Sequence, residues 1–116
     1  MGRGRAYALL LAARGARLVV NNRLSGDSPA DSAGELAALI GARAGSAVAE
    51  RSDLRAPQAA TSLVDCALAS YGRLDIVIHN AGVIESQPVA ELAESDLARV
   101  FEINTLSALR LTQAAL

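Results

Sequence analysis

Two short turns rich in glycine and asparagine carry groups that could bind a ligand. Gly2-Arg3-Gly4 opens a stretch with a helical pattern, and Asn80-Ala81-Gly82 ends an apolar run. Glycines before a helix let the backbone approach a pyrophosphate, and the helix then offers free N–H groups and the positive end of its dipole. By itself, the glycine pair is better explained as a flexible terminus, so this interpretation depends on the other turns.

A third polar turn, Asn22-Arg23, follows the apolar run Leu18-Val19-Val20. In dinucleotide-binding folds this position faces the adenosine ribose, where an acidic side chain accepts hydrogen bonds from the hydroxyls and selects NAD. An arginine there pairs instead with the 2′-phosphate of NADP. Because the turn has an arginine and no acid, the sequence favours NADP over NAD. A solvated loop arginine is the alternative.

His79 and Asn104 are polar residues in apolar surroundings. No second histidine or cysteine is spaced to share a metal with His79, so we predict a strand-end histidine and no metal site. The amide of Asn104 must find hydrogen-bond partners on its helix face, and the simplest role is to bridge the helix to the sheet. Its neighbours on that face are Leu97, Val100, Phe101, Ala108 and Leu111.

Helical and strand patterns alternate along the chain, which predicts a parallel sheet with right-handed crossovers. Strands are expected at Arg17–Asn21, Ser46–Glu50 and Leu74–His79, and the last of these is apolar enough to be buried on both faces. Helices are expected between and after them: one from the first glycine turn, one opening at Ser28-Pro29, one from Pro57 and one from about Glu94 to the end. The inner face of the first helix is predicted to be Ala6, Leu9, Leu10 and Ala13.

Composition excludes several classes of protein. The 116 residues suit one domain, and a net charge of −1 with 3% aromatic residues argues against nucleic-acid or membrane partners. Hydrophobic residues make up 52% of the chain, but no apolar run approaches the ~20 residues of a membrane span. The lone Cys66 rules out an internal disulfide and fits a reducing compartment, so we expect a cytoplasmic protein.

Together these turns resemble the short-chain dehydrogenase/reductase family. Gly2-x-Gly4 is similar to the last two glycines of its Thr-Gly-x-x-x-Gly-x-Gly motif, and Asn80-Ala81-Gly82 to its turn after the fourth strand, with His79 where an asparagine is usual. Asp53-Leu54 resembles the pair that contacts the adenine ring, although a helix-entry aspartate explains Asp53 equally well. Asn104 resembles the asparagine of the Asn-Ser-Tyr-Lys tetrad, which binds a water in the proton relay.

The resemblance implies an α/β, Rossmann-type, doubly wound sheet and hydride transfer between NAD(P) and a carbonyl or alcohol substrate. It also implies a homo-oligomer formed through the last helix. The strands match the second, third and fourth of such a domain, so residues 1–116 are expected to be a partial domain, truncated at both ends. No Tyr-x-x-x-Lys motif and no lysine occur, so the chain alone is expected to be inactive.

Without a first strand, the usual 3-2-1-4 order predicts either an open slot beside Val19 or closure of Val19's strand against Val77's. The alternative to an enzyme is a non-enzymatic nucleotide-binding module or an inactive gene fragment. Asn21-Asn22-Arg23 and the Ser25-Gly26-Asp27 loop weakly resemble the hydroxyacyl-CoA dehydrogenase branch, and no particular substrate is assigned.

Overall fold

A computed structural model describes residues 2–23 and 31–116 of the chain. Within these residues, two strands, five α-helices, a short 3-10 helix and a π-helical turn follow one another. In chain order they are α1 (Arg3–Ala13), β1 (Arg17–Asn21), α2 (Ser32–Ala42), β2 (Ser46–Glu50), α3 (Ala59–Tyr71), the 3-10 helix Val89–Glu91, α4 (Glu94–Phe101), the π-helical turn Glu102–Leu106 and α5 (Ser107–Ala115).

The two strands have the bounds that the sequence predicts, and they pair in parallel with Val19 opposite Val48. Helix α2 connects them as a crossover and covers the sheet. Ile40 is almost fully buried, and it forms a core cluster with Ala8 and Leu36 against which Leu18 packs. Burial of this apolar face is the main force that holds α1, α2 and the sheet together.

The predicted strand Leu74–His79 is wrong as a hydrogen-bonded strand. Among the described residues, the sheet contains only β1 and β2. Ile76 is 69% exposed and Ile78 is 50% exposed, although the sequence predicts burial on both faces. A strand needs a neighbour to accept and donate its backbone hydrogen bonds, and β1 does not close up against this segment. Of the two expected arrangements, the structure has the open slot.

Two details of the helices also differ from the sequence prediction. On α1, Ala8 is buried, whereas Leu10 of the predicted inner face is 51% exposed. Apolar residues occur nearly all round this helix, so periodicity could not identify its buried side. Helix α2 begins at Ser32, and the side chain of Asp31 caps it by accepting from the Gly34 N–H at 2.9 Å. The predicted opening at Ser28-Pro29 lies outside the described residues.

The last helical region is interrupted by the π-helical turn, which separates α4 from α5. Such turns insert one extra residue into a helix and are frequent at functional sites. Helix α5 packs against α3, and Ser107, its first residue, is 3% exposed. Asn104 therefore lies within the π-helical turn, close to the buried Ser107.

Candidate dinucleotide site

A cavity of about 670 Å³ lies between β1, residues 74–83 and the start of α1. It opens at the carboxyl ends of the strands, where ligands bind in open α/β sheets. All of the cofactor residues predicted from the sequence line it except Arg3, which is exposed outside it. The lining predicted residues are Gly2, Gly4, Asn22, Arg23, Asp53, Leu54, Asn80, Ala81 and Gly82.

The glycine turn and the Asn-Ala-Gly turn meet at one end of the cavity. A Cβ atom at Gly4 would lie 2.8 Å from Nδ2 of Asn80, so only glycine permits this approach without a shift of the asparagine. Gly2 is the N-cap of α1, no side chain caps the helix, and its first turn has no acidic residue. Free N–H groups at a positive helix end fit a pyrophosphate, so this end of the cavity suits a dinucleotide.

Three charged side chains meet at the other end of the cavity. Nη1 of Arg23 lies 3.9 Å from Oδ2 of Asp53. Arg55 holds the same carboxylate more closely, because its Nε donates to both oxygens at 3.0 Å and its backbone N–H donates to Oδ1 at 3.0 Å. The hydrogen bonds from Arg55 lower the pKa of Asp53 to about 2, with a smaller contribution from the charge of Arg23. Asp53 is therefore ionised and already paired.

Arg55 is a residue of this site that the sequence interpretation missed. The only available indication was its position two residues after Asp53, which lets one short turn bring guanidinium and carboxylate together.

A second missed group stands where β1 and β2 end. Nδ2 of Asn21 donates to Oε2 of Glu50 at 2.7 Å and to the carbonyl of Ser52 at 3.1 Å. The same Glu50 oxygen accepts from the backbone N–H of Ser52 at 2.9 Å. Beside this group, Nδ2 of Asn22 donates to Oγ of Ser32 at 2.5 Å. These bonds hold in place the end of the cavity near Arg23. No local sequence pattern predicts the bond between Asn21 and Glu50, which lie 29 residues apart.

Asn104 bonds to the loop that follows the Asn-Ala-Gly turn. Its Oδ1 accepts from the backbone N–H of Val83 at 2.8 Å, and its Nδ2 donates to the carbonyl of Val83 at 2.8 Å. The side-chain amide of Asn104 thus pairs with both the N–H and the C=O group of Val83. A Cβ atom at Gly82 would lie 3.5 Å from the Asn104 oxygen, which is ordinary contact. These bonds attach the helix to the loop rather than to the sheet, and Asn104 does not line the cavity.

His79 is held by the same helical region. Its Nε2 lies 2.7 Å from Oγ of Ser107, and that hydroxyl donates to the carbonyl of Ile103 at 2.6 Å. Because the hydroxyl proton is used in the bond to Ile103, Nε2 of the imidazole is the donor to Ser107. The segment from His79 to Val83 is therefore attached to the last helical region at two points, Asn104 within the π-helical turn and Ser107 directly after it.

Within residues 2–23 and 31–116, no three histidine, cysteine, aspartate or glutamate side chains are placed to hold a metal ion. None of the described helices has the length and hydrophobicity that a membrane crossing needs.

A sequence model of the family described as short chain dehydrogenase matches residues 1–116. The chain belongs to this family. The chain is 39% identical over 114 residues to an oxidoreductase of Methylorubrum extorquens, covering 98% of this chain and 44% of that protein. It is 38% identical over 104 residues to a probable tetrahydroxynaphthalene reductase of Zymoseptoria tritici, covering 90% of this chain and 38% of that protein.

Solved structures of the family superpose closely on the chain. A short chain dehydrogenase from Mycobacterium avium gives a TM-score of 0.89 with 31% identity, covering 99% of this chain and 42% of that one. A short-chain dehydrogenase/reductase variant from Serratia marcescens gives a TM-score of 0.87 with 31% identity over 98% of this chain and 45% of that one. The Rossmann-type fold class is thereby confirmed. The chain spans less than half the length of these relatives.

Proposed function

We propose that residues 1–116 form the dinucleotide-binding part of an NAD(P)-dependent oxidoreductase that transfers hydride between the nicotinamide and a carbonyl or alcohol substrate. The observation that carries this proposal is the meeting of the glycine turn, Asn22-Arg23 and Asn80-Ala81-Gly82 around one cavity at the strand ends. The family membership of the chain and the reductases among its relatives support it. A bound dinucleotide would supply the hydride, and the chain would orient it.

For each part of the cofactor, the cavity has a protein group that would contact it. The free N–H groups of the first turn of α1 would hold the pyrophosphate, next to Gly2 and Gly4. Leu54 would contact the adenine ring, and Asp53 would face it from beside the strand end. Ala81 and Gly82 offer a turn without large side chains, where the nicotinamide half would pass closest to the backbone.

We infer a preference for NADP over NAD from the charges at the ribose end. Asn22 is uncharged, and Arg23 is 45% exposed, so its guanidinium can turn toward a 2′-phosphate. The nearby carboxylate of Asp53 is paired with Arg55 and repels a phosphate less than a free carboxylate would. An arginine also matches the geometry of a phosphate with two parallel hydrogen bonds.

This preference can be tested on the 116-residue chain with NADPH and NADH, using NMR spectra of the backbone amides, which detect even weak binding. NADPH should shift the resonances of Gly4, Arg23 and Gly82 at lower concentration than NADH does. Arg23→Asp should reverse the order, whereas Arg43→Asp, an exposed arginine outside the cavity, should not. Shifts that are equal for both cofactors in the original chain would contradict the preference. No shift at Gly4 and Gly82 with either would contradict the dinucleotide site.

The chemical step belongs to the complete protein in this proposal. Asn104 would contribute to the proton relay there, and its bonds to Val83 would fix its position at the loop that follows the Asn-Ala-Gly turn. The chain alone has neither a lysine nor the Tyr-x-x-x-Lys motif, so it would bind cofactor and not turn over substrate. Cofactor-dependent turnover of any carbonyl compound by the purified chain would contradict this. We further propose a cytoplasmic location, because Cys66 is a free thiol.

A further inference from the structure

Ser32 is a cavity residue to which the proposed dinucleotide binding assigns no role. It is the first residue of α2, it is exposed, and it lines the same cavity as Asn22 and Arg23. Nδ2 of Asn22 donates a hydrogen bond to Oγ of Ser32 at 2.5 Å. Because Asn22 directly precedes Arg23, this bond holds the Ser32 hydroxyl at the end of the cavity that we assign to the 2′-phosphate.

The hydroxyl of Ser32 has a hydrogen to offer to a ligand. A serine hydroxyl carries one hydrogen that it donates and two lone pairs that accept. Asn22 donates through its amide nitrogen, so the bond between the two side chains occupies a lone pair of Ser32 and does not use its hydrogen. A hydrogen bond to a charged oxygen is stronger than one to a neutral oxygen. The Ser32 hydroxyl therefore favours a phosphate over a ribose hydroxyl in the same position.

An ion pair holds the N-terminus of α2, and with it the position of Ser32. Asp31 caps the helix, and Arg51, directly after β2, donates to both of its carboxylate oxygens, from Nε at 3.0 Å and from Nη2. The pKa of Asp31 lies below its usual range, because Arg51 and the backbone N–H of Gly34 donate to this carboxylate. Asp31 is therefore ionised, its charge is offset by Arg51, and the pair joins the start of α2 to the end of β2.

Gly34 leaves the space that this ion pair occupies. A Cβ atom at Gly34 would lie 2.7 Å from Cγ of Asp31 and 2.9 Å from Nη2 of Arg51. Both distances are too short for a normal contact, so an alanine would displace the carboxylate or the guanidinium. Alanine is otherwise the better residue within a helix. The glycine at this position is therefore explained by the ion pair and not by the helix.

The other carboxylates near this end of the cavity are engaged as well. Asp53 is paired with Arg55. Glu50 accepts hydrogen bonds from the side chain of Asn21 and from a backbone N–H. A free acid beside the ribose would accept hydrogen bonds from its hydroxyls and select NAD. With Asp31 also paired, the charges at this end of the cavity are compatible with a phosphate.

We propose that Ser32 is a second specificity-determining residue of the dinucleotide site, whose hydroxyl donates to the 2′-phosphate of NADP, and that the pair of Asp31 and Arg51 is its positioning device. Arg23 contributes charge to the binding of the phosphate, and Ser32 contributes a directed hydrogen bond. This inference rests on the proposed dinucleotide site, and it adds to that site a residue and the contact that holds the residue in place.

The test compares two nucleotides that differ only at the ribose 2′ position, adenosine 2′,5′-bisphosphate and adenosine 5′-monophosphate. Titration of the backbone amide resonances of Arg23 and Ala33 in the 116-residue chain gives a dissociation constant for each nucleotide. The ratio of the two constants measures recognition of the 2′-phosphate, because contacts to the adenine and to the 5′-phosphate are common to both. The original chain should bind the bisphosphate more tightly.

Two substitutions of Ser32 should change this ratio to different extents. Ser32→Ala removes the hydroxyl and should lower the preference for the bisphosphate about fivefold. Ser32→Asp places a carboxylate beside the phosphate and should abolish the preference, although an acid in the first turn stabilises a helix. Ser70→Ala is the matched control, since Ser70 is an exposed serine of α3 outside the cavity, and it should leave the ratio unchanged.

Two glycines of α2 test the positioning role of the ion pair. Gly34→Ala displaces the pair and should lower the preference for the bisphosphate about threefold. Gly41→Ala places its methyl group in open space and should leave the preference unchanged. Both variants add the same group to the same helix, so a general change in helix stability would affect the two alike.

The outcomes separate this inference from the proposed function. An unchanged ratio in Ser32→Ala and Ser32→Asp would overturn the inference, whereas NADPH-induced shifts at Gly4 and Gly82 would still support the dinucleotide site. Equal ratios in Gly34→Ala and Gly41→Ala would overturn the positioning role of the ion pair. No shift at Gly4 and Gly82 with either cofactor would overturn the dinucleotide site and this inference with it.

Discussion

At the scale of single residues, the carboxylate of Asp53 is the most constrained charge in the candidate site. The guanidinium of Arg55 contacts both of its oxygens, and the guanidinium of Arg23 approaches one of them. The arrangement keeps a negative charge beside the position we assign to a 2′-phosphate, and Arg55 offsets it. The state of this pair therefore bears on cofactor choice as well as on stability.

Because the pKa of Asp53 is lowered to about 2 in the folded state and is ~3.9 in an unfolded chain, its pairing stabilises the fold above pH ~4 and is lost as the pH falls through about 2. The carboxylate is 33% exposed, so the contribution stays below about 1 kcal/mol. Arg55→Gln should raise the pKa of Asp53 toward ~3.9 in an NMR titration of the carboxyl carbon.

The control for this titration is Arg73→Gln. Arg73 forms the same kind of pair with Asp75, two residues along the chain, and should affect the pKa of Asp75 but not that of Asp53. An Asp53 pKa that stays near 2 in Arg55→Gln would mean that the cause lies elsewhere.

Asn104 is predicted to be a stability residue in this chain. Asn104→Ala removes two hydrogen bonds to Val83, and at ~0.5–1.5 kcal/mol each the free energy of unfolding should fall by about 1–3 kcal/mol. Asn104→Asp keeps the acceptor and loses the donor, so it should lose at least half as much. Thr105→Ala, the exposed neighbour, should stay within about 0.5 kcal/mol. Urea unfolding measures all three, and equal values for Asn104→Ala and Thr105→Ala would contradict a stabilising role of these bonds.

At the scale of elements, Gly72 and Gly41 occupy two different kinds of helix position. Gly72 follows α3 with φ of 74°, and its N–H bonds to the carbonyl of Leu68 at 2.8 Å. Gly41 instead lies inside α2, with open space where a Cβ would stand. The first position needs glycine for its backbone conformation, and the second does not.

These two glycines make a matched pair for substitution. Gly72→Ala should destabilise the chain by about 1 kcal/mol, because an L side chain disfavours the left-handed conformation. Gly41→Ala should stabilise it by up to about 1 kcal/mol, since alanine is the better helix former. Thermal or urea unfolding gives both values. A gain in stability from Gly72→Ala would show that its turn is not held in this conformation.

At the scale of the whole molecule, the chain is more open than a compact domain of its size. Its radius of gyration is 15.2 Å. A compact domain of 116 residues has a radius of gyration of about 13 Å. Together with its exposed aliphatic residues, this predicts low stability and a tendency to associate. The last helical region takes part, because Leu106 is 38% exposed and Leu109 is 52% exposed.

We expect the protein to form a homo-oligomer through this region. Leu109→Glu should weaken self-association at least tenfold in sedimentation velocity at micromolar concentration, because it places a charge in an apolar contact. Leu10→Glu is the matched control, since Leu10 on α1 is exposed to nearly the same extent, 51%. A monomeric original chain, or an equal loss in both variants, would contradict an interface at α5.

Local features and the family could be predicted from the amino-acid sequence. The bounds of β1 and β2, the order of the helices and the end of α3 at Gly72 follow from apolar periodicity and glycine positions, which act over a few residues. The motifs at Gly2–Gly4 and Asn80–Gly82 were sufficient to predict the family, because they depend on residue type and spacing alone.

Which elements pair with one another depends on the packing of the whole chain. The apolar run Leu74–His79 has every local feature of a buried strand, yet it is exposed, because a strand is stabilised by a neighbour's backbone that no local pattern can provide. The same holds for the bonds from Asn21 to Glu50 and from His79 to Ser107, whose members lie 29 and 28 residues apart. Contacts between distant residues depend on how the helices pack, and that is settled by the fold as a whole.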